Sequence, residues 1–306
     1  MDTAVTIAVR APRVPRRRRP SGASLNALYI PALVLFAVFT VYPLISGLQL
    51  SFTDWNGYSG ERAPVGLANY ARLLEDLNFR TALANTFVYG IGSAILQQVL
   101  GLGLALALNR VIPGRGIART IIYLPVLVSP IVMGTMYYQL FRYKGGALND
   151  IAEALGGSPV LWLSDATLGM IVIVAVNSLQ FVGISMVIYL AGLQAVPHEY
   201  YEAAALDGAG PWQRFRHITL PLLQPAFATS MVLNLIGGLK LFDVITVMTG
   251  GGPGNSTHSV SSLLAKTYFD NQSAGYASAM GVVLFAIIAV LTIGLHGALN
   301  RKQVQS

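Results

Sequence analysis

Six long stretches without a charged side chain constrain this chain more than any other feature. They cover residues 20–53, 81–109, 120–141, 166–198, 217–239 and 271–300. Each is longer than the ~20 residues that a helix needs to cross the hydrocarbon core of a bilayer. The apolar residues run continuously instead of alternating, which disfavours a transmembrane barrel. The sequence therefore predicts an all-α membrane protein with six transmembrane helices.

A seventh uncharged stretch, residues 244–265, is not expected to cross the membrane. It contains Gly-Gly-Gly-Pro-Gly at 250–254, and the backbone polar groups of such a segment could not be satisfied in lipid. The six helices are expected near residues 27–50, 82–108, 120–141, 167–193, 219–241 and 278–299.

Composition and charge support a membrane location. Charged residues make up 11% of the chain, against about 25% in soluble proteins. The net charge of +7 is concentrated in an arginine-rich segment, residues 10–19, just before the first apolar stretch. This is the signal of a cytoplasmic tail, and it argues against nucleic-acid binding. The first apolar stretch is too long for a signal-peptide core, so we expect it to remain uncleaved.

The distribution of basic residues predicts the orientation. With both termini cytoplasmic, the inner segments hold 13 of the 20 basic residues, and the outer loops hold 9 of the 13 acidic ones. An even number of spans agrees with this arrangement. We therefore expect a basic, disordered cytoplasmic tail over 1–24, a six-helix transmembrane domain over 25–300 and a short cytoplasmic tail over 301–306.

A polar island at 197–221 separates the fourth and fifth apolar stretches. Pro197 suits the start of a short helix, whose first turns carry Glu199 and Glu202 and whose next residues are alanines. Gly208 suits the left-handed residue that ends a helix. Pro211 suits the start of a second helix, and Pro221 marks the next boundary. This pattern predicts a cytoplasmic docking site for a soluble partner.

The same island resembles the EAA loop of the permease subunits of binding-protein-dependent ABC importers. Its Asp207-Gly208-Ala209 and Phe215 are similar to the sugar-permease branch, which includes maltose and glycerol-phosphate permeases. The resemblance implies a type I ABC importer permease core. It also implies that the loop is a coupling helix that docks on a separate ATPase. The residues expected to carry coupling are Glu202, Ala203, Ala204, Asp207, Gly208, Ala209, Ile218 and Pro221.

A second stretch, residues 241–257, resembles the segment after the fifth core helix of sugar permeases, which borders the outward side of the pathway. Its glycines permit a buried turn or re-entrant loop, and a flexible outer loop is the alternative. Lys240 and Asp243 either pair with each other or gate the pathway. The uncharged polar residues within the apolar stretches either line the pathway or join helices to each other. The candidates for the solute path are Asn177, Gln180, Asn234, Asp243, Gly251 and Gly252.

The chain lacks the sequence of a phosphate-binding loop, a metal site or a catalytic constellation, and it contains no cysteine. The resemblance therefore implies that ATP and Mg are bound by a partner ATPase. It implies a second permease subunit in a heterodimer, two ATP-binding subunits and an extracytoplasmic solute-binding protein. The setting is the lipid bilayer of a prokaryotic plasma membrane. A permease for glycerol phosphate or another charged solute, and a stand-alone secondary transporter or channel, remain alternatives.

Overall fold

The computed structural model describes residues 29–300, so the predicted tails at 1–24 and 301–306 lie outside the described residues. The described part is helical, and its β pairing is confined to an isolated bridge between Thr53 and Pro64. The chain divides into two compact units after Ser46.

The first unit contains most of helix α1, Tyr29–Leu50. The middle of α1 widens into a π-helical turn, Ala37–Val41, just before Pro43. Here the N–H of Tyr42 bonds to the carbonyl of Ala37, five residues back. Because proline has no N–H to continue the normal ladder, a π turn beside it is a common way to accommodate the ring.

The second unit contains twelve helices within the described residues. They are α2 (Ala68–Glu75), α3 (Leu77–Asn109), α4 (Arg115–Leu127), α5 (Pro130–Phe141), α6 (Ala147–Ala154), α7 (Ala166–Ala195), α8 (His198–Leu206), α9 (Pro211–Leu222), α10 (Gln224–Leu239), α11 (Asp243–Met248), α12 (Val260–Phe269) and α13 (Ala274–Asn300). The segments 51–81 and 142–165, which connect the predicted spans, contain helices α2 and α6.

Four helices, α1, α3, α7 and α13, are long and apolar enough to cross a membrane as single elements. The third and fifth predicted spans are each broken. Helices α4 and α5 meet at 101°, and α9 and α10 meet at 63°. Pro130 follows two residues with extended backbone, Val128 and Ser129, because the residue before a proline is disfavoured in helical conformation. The described part therefore has four to six candidate spans.

Small residues allow the long helices of the second unit to pack closely. A Cβ added to Gly238 of α10 would lie 2.8 Å from both the Cα of Gly90 and the carbonyl of Tyr89 in α3. A Cβ on Gly101 of α3 would lie 2.5 Å from the Cβ of Ser185 in α7. Such contacts are typical of membrane helices, whose association depends on close packing of backbones.

The connecting segments of the second unit gather at two opposite ends of the long helices. At one end, Leu108, Leu193 and Leu223 share a buried cluster, and Gln224 donates to the carbonyl of Leu299 at 2.9 Å. We call this the elbow end, because the polar island between Leu193 and Leu223 lies there. At the other, the loop end, the segments around α2 and α12 are tied by hydrogen bonds such as Asn255 to Asn78 and Tyr276 to Asp76.

Candidate functional site

The polar island folds into two short helices, α8 and α9, joined by a glycine turn. We call residues 197–222 the elbow. Pro197 is the extended residue that precedes α8. Gly208 has φ +80°, its N–H bonds to Ala205, and the N–H of Ala209 bonds to Ala204. These two bonds form a Schellman motif, which satisfies the last carbonyls of a helix. The predicted left-handed glycine and the helix start at Pro211 are confirmed.

The elbow presents an exposed surface in the described chain. Glu202, Ala203, Asp207 and Gly208 are exposed, and Ala204, Ala209 and Ile218 are half-buried. Two large apolar side chains, Leu206 and Trp212, are also exposed beside them. The sequence reasoning missed Leu206 and Trp212 because it followed the small-residue pattern. Exposed apolar residues of this size mark an interaction surface.

Pro221 does not mark the boundary that the sequence predicted. It lies inside α9, directly after a π-helical turn at Phe215–Thr219. As at Pro43, an N–H near the proline bonds five residues back, here from Leu220 to Phe215. The break before α10 falls at Leu223 instead, where the chain bends. The π turn lets the helix continue although the proline has no N–H to donate.

A central cavity of about 300 Å³ lies among α3, α7, α10 and α11. Three of the predicted path residues, Asn177, Asn234 and Asp243, line it together. Gln97 also contributes an amide to the cavity lining, Phe181 and Phe242 contribute phenyl rings, and Lys240 contributes an amine. Gln97, which faces Asn177 from the neighbouring helix, was not among the residues predicted to line the path.

The remaining path candidates lie away from this cavity. Gln180 is buried and donates to the carbonyl of Val128 at 3.3 Å, where α4 breaks from α5. Gly251 and Gly252 belong to the loop between α11 and α12 and do not line the cavity. Lys240 and Asp243 form no ion pair within the described residues, and both line the cavity.

A buried network of polar side chains joins three helices beneath the cavity. Asn234 of α10 donates to Ser185 of α7 at 2.7 Å. Gln98 of α3 donates to Ser230 of α10 at 3.1 Å and accepts from the hydroxyl of Tyr189. Asn234 therefore lines the cavity and also joins two helices.

The glycine-rich loop is packed against α3 at the loop end. Asn85 donates to the carbonyls of Ser256 and His258 at 2.6 and 3.0 Å, and Tyr89 donates to that of Thr257 at 2.8 Å. Thr257 and His258 are buried. The prediction of a buried turn is thus confirmed, since a buried loop needs such partners for its backbone. These hydrogen bonds and this burial disfavour the alternative of a flexible loop.

Gly251 has a packing role in this loop. Its φ is +83°, and an added Cβ would lie 2.1 Å from the ring of His258, so only glycine fits. The ring nitrogen Nδ1 of His258 bonds to the hydroxyl of Ser262 at 2.9 Å. Burial, and secondarily the nearby charge of Lys266, lower the pKa of His258. A neutral imidazole therefore holds the loop at pH 7.

Comparison with known proteins decides which transport class this fold belongs to. Residues 99–305 match the family described as "Binding-protein-dependent transport system inner membrane component". The chain belongs to this family. It is therefore a membrane subunit of an ABC transport system and not a catalytic enzyme. The EAA pattern at 202–204 is a feature of the same family.

Several relatives are similar over most of their length. The chain is 36% identical over 266 residues to the trehalose/maltose transport system permease protein MalF of Thermococcus litoralis, covering 87% of this chain and 90% of that protein. It is 35% identical to the multiple sugar-binding transport system permease protein MsmF of Streptococcus mutans, covering 90% and 94%.

A solved structure shares the fold. A bacterial ABC transporter involved in the import of the acidic polysaccharide alginate contains a chain that matches with a TM-score of 0.81 at 23% identity. The match covers 91% of this chain and 96% of that one. The architecture is therefore that of a type I ABC importer permease.

Proposed function

We propose that this chain forms half of the pathway of an importer for a sugar or a sugar-like neutral solute. The observation that carries the proposal is the central cavity, where Gln97, Asn177 and Asn234 converge with Phe181 and Phe242. Amides donate and accept hydrogen bonds as sugar hydroxyls require, and phenyl rings supply apolar contact area. The sugar-related names of the relatives support the same solute class.

The charges in the cavity favour a neutral solute over an anionic one. Lys240 alone would suit a phosphate or carboxylate, as in a permease for glycerol phosphate or another charged solute. Asp243 lines the same cavity three residues later, so the pair adds no net charge. A carboxylate beside the amine would repel an anionic solute. A charged solute is therefore the second candidate, and uptake measurements with both classes distinguish them.

The elbow is proposed to transmit movement from partner ATPases, which would bind ATP and Mg. Its exposed acidic and alanine face, with Gly208 at the turn, would seat on the ATPase. Differential ATP affinity for two states would then switch the pathway between inward-facing and outward-facing forms. A second permease subunit, two ATP-binding subunits and an extracytoplasmic solute-binding protein complete the proposed assembly.

The membrane arrangement proposed is six spans with both termini cytoplasmic, counting each bent pair as one span. The domain limits proposed are those expected above, with 25–300 as the permease domain. The two-ended layout of the second unit supports this arrangement. The predicted inner segments 109–119 and 197–221 lie at the elbow end, while 51–81 and 249–273 lie at the loop end.

Replacing Asn177 tests the role of the cavity in solute uptake. Its side-chain amide makes no hydrogen bond within the described residues and faces the cavity, so a solute would be its partner. We expect Asn177→Leu to lower uptake by roughly 10- to 100-fold, the effect of leaving a solute hydroxyl unpaired. Uptake is measured in proteoliposomes that contain the complete transporter and its binding protein.

The matched control for Asn177 is Ser178→Ala. The Ser178 hydroxyl bonds only to the carbonyl of Val174 in its own helix, so uptake should stay near normal. Unchanged uptake in Asn177→Leu would show that the solute bypasses this cavity. Loss of basal ATPase activity in that variant would indicate damage to assembly instead.

Single cysteines test the orientation, because the chain has no cysteine of its own. We expect Asp207→Cys at the elbow to be protected from a membrane-impermeant maleimide in intact cells and to react after the cells are opened. Ser59→Cys, in the exposed segment between α1 and α2, should react in intact cells. The reverse pattern would place the elbow outside and remove the basis for coupling.

A further inference from the structure

The segment 109–119, which runs from the last residue of α3 into the first turns of α4, is the most basic connection in the second unit. It carries Arg110, Arg115 and Arg119 and no acidic residue. It lies at the elbow end, since Leu108 and Ala118 pack into the same cluster as Leu193. Three positive charges without a compensating carboxylate in the segment leave it open to an anionic partner.

The three arginines differ in what they contact. Arg119 donates from Nη2 to the carbonyl of Leu108 at 2.7 Å, which caps the end of α3. Its Nε is buried and has no hydrogen-bond partner within the described residues. Arg110 and Arg115 form neither hydrogen bonds nor ion pairs through their side chains within residues 29–300. Two guanidinium groups are therefore available to a ligand, while Arg119 holds the segment in place.

An exposed apolar face begins directly beside these arginines. Ile117, Ile121 and Leu124 of α4 are 70%, 63% and 55% exposed, and their spacing of four and three residues places them on one side of the helix. The other side of α4 packs into the protein through Ala118 and Ile122. Val111, between the free arginines, is 90% exposed.

We infer that this surface binds an anionic phospholipid. Arg110 and Arg115 would bind the phosphate of the headgroup, since guanidinium donors match phosphate oxygens. The acyl chains would lie along the Ile117, Ile121 and Leu124 face. A soluble acidic partner would satisfy the charges but would leave that face uncovered, so a lipid is the occupant that fits both. The inference needs only the membrane setting and is independent of the transported solute.

A fluorescent probe at Val111 tests the lipid site, again because the chain lacks cysteine. The full chain with Val111→Cys is labelled with bimane and reconstituted with its partner subunits into nanodiscs of phosphatidylcholine. The nanodiscs also contain a small fraction of either doxyl-phosphatidylglycerol or doxyl-phosphatidylcholine, which quenches the bimane fluorescence. We expect the phosphatidylglycerol quencher to be at least about fivefold more effective, the effect of one arginine near an anionic surface.

Substituting both free arginines should remove this preference. In Arg110→Gln/Arg115→Gln, the two quenchers should become equal, while quenching by doxyl-phosphatidylcholine stays unchanged because the apolar face is intact. Arg119 is kept, since it caps α3. Equal quenching in the unsubstituted protein, or a preference that persists in the double variant, would overturn the inference.

A matched control lies at the loop end, at Tyr143 between Arg142 and Lys144. The side chain of Arg142 is engaged there, because its Nε donates to the carbonyl of Gly145 at 2.9 Å. Lys144 is then the one basic side chain of this pair without a partner within the described residues, so a bimane at Tyr143→Cys should show a smaller preference for phosphatidylglycerol than the Val111 probe. If both quenchers reach the Val111 probe in the complex without its ATPase subunits but neither reaches it in the complete complex, the surface is a protein interface and the lipid assignment is wrong.

Discussion

Replacing Gly208 with valine is expected to abolish solute uptake while leaving the protein in the membrane. Gly208 has φ +80°, a conformation that costs an ordinary L residue about 1–2 kcal/mol and a β-branched residue more. Valine would therefore open the Schellman turn and move α8 relative to α9. We expect uptake to fall by at least about tenfold on this cost alone, and further where the altered elbow no longer seats on an ATPase.

Two other glycine substitutions separate backbone strain from bulk. Nothing lies within 4 Å of a Cβ added to Gly208, so steric clash within this chain does not contribute. Gly208→Asn should retain intermediate uptake, because asparagine tolerates the left-handed region. Gly210→Ala, in the same elbow but with φ −70°, should be near normal. Full uptake by Gly208→Val, measured at equal protein levels, would show that the turn does not carry coupling.

The elbow was predictable from sequence because each of its features is local. A proline start, acidic first turn, alanine run and glycine end depend only on neighbours along the chain. The structure shows each of them, with Pro197 just before the helix and not in its first position. The apolar stretches were predictable for the same reason, because lipid requires long uncharged helices. Local rules did not predict that two of the apolar stretches break, at Ser129 and Leu223. A proline predicts a disturbed helix, but it does not predict the angle between the two helical parts.

The cavity required knowledge of distant contacts. Asn177 and Gln180 are three residues apart, yet only Asn177 reaches the cavity, because Gln180 bonds to Val128 across the break in the third span. Gly251 looked like a pathway residue and proved to accommodate the ring of His258. A polar residue in an apolar stretch predicts a hydrogen-bond partner, but which residue that partner is depends on which helices pack together.

A large stability effect is expected at Gly238, where α10 crosses α3. A Cβ at this position would lie 2.8 Å from the Cα of Gly90 and from the carbonyl oxygen of Tyr89. Both are backbone atoms of a 33-residue helix, so they cannot move aside as a flexible side chain would. We therefore expect Gly238→Ala to force the helices apart and to destabilise the protein by about 1–3 kcal/mol, the usual cost of overpacking.

The neighbouring glycine provides the control, because Gly237 lies in the same helix with nothing within 4 Å of an added Cβ. Gly237→Ala should leave stability unchanged or raise it slightly, since alanine favours a helix over glycine. The two purified variants are compared by thermal unfolding in the same detergent, and we expect a midpoint lower by several degrees for Gly238→Ala. Equal midpoints would mean that α3 and α10 separate without cost, and the close crossing would then not hold this part of the bundle together.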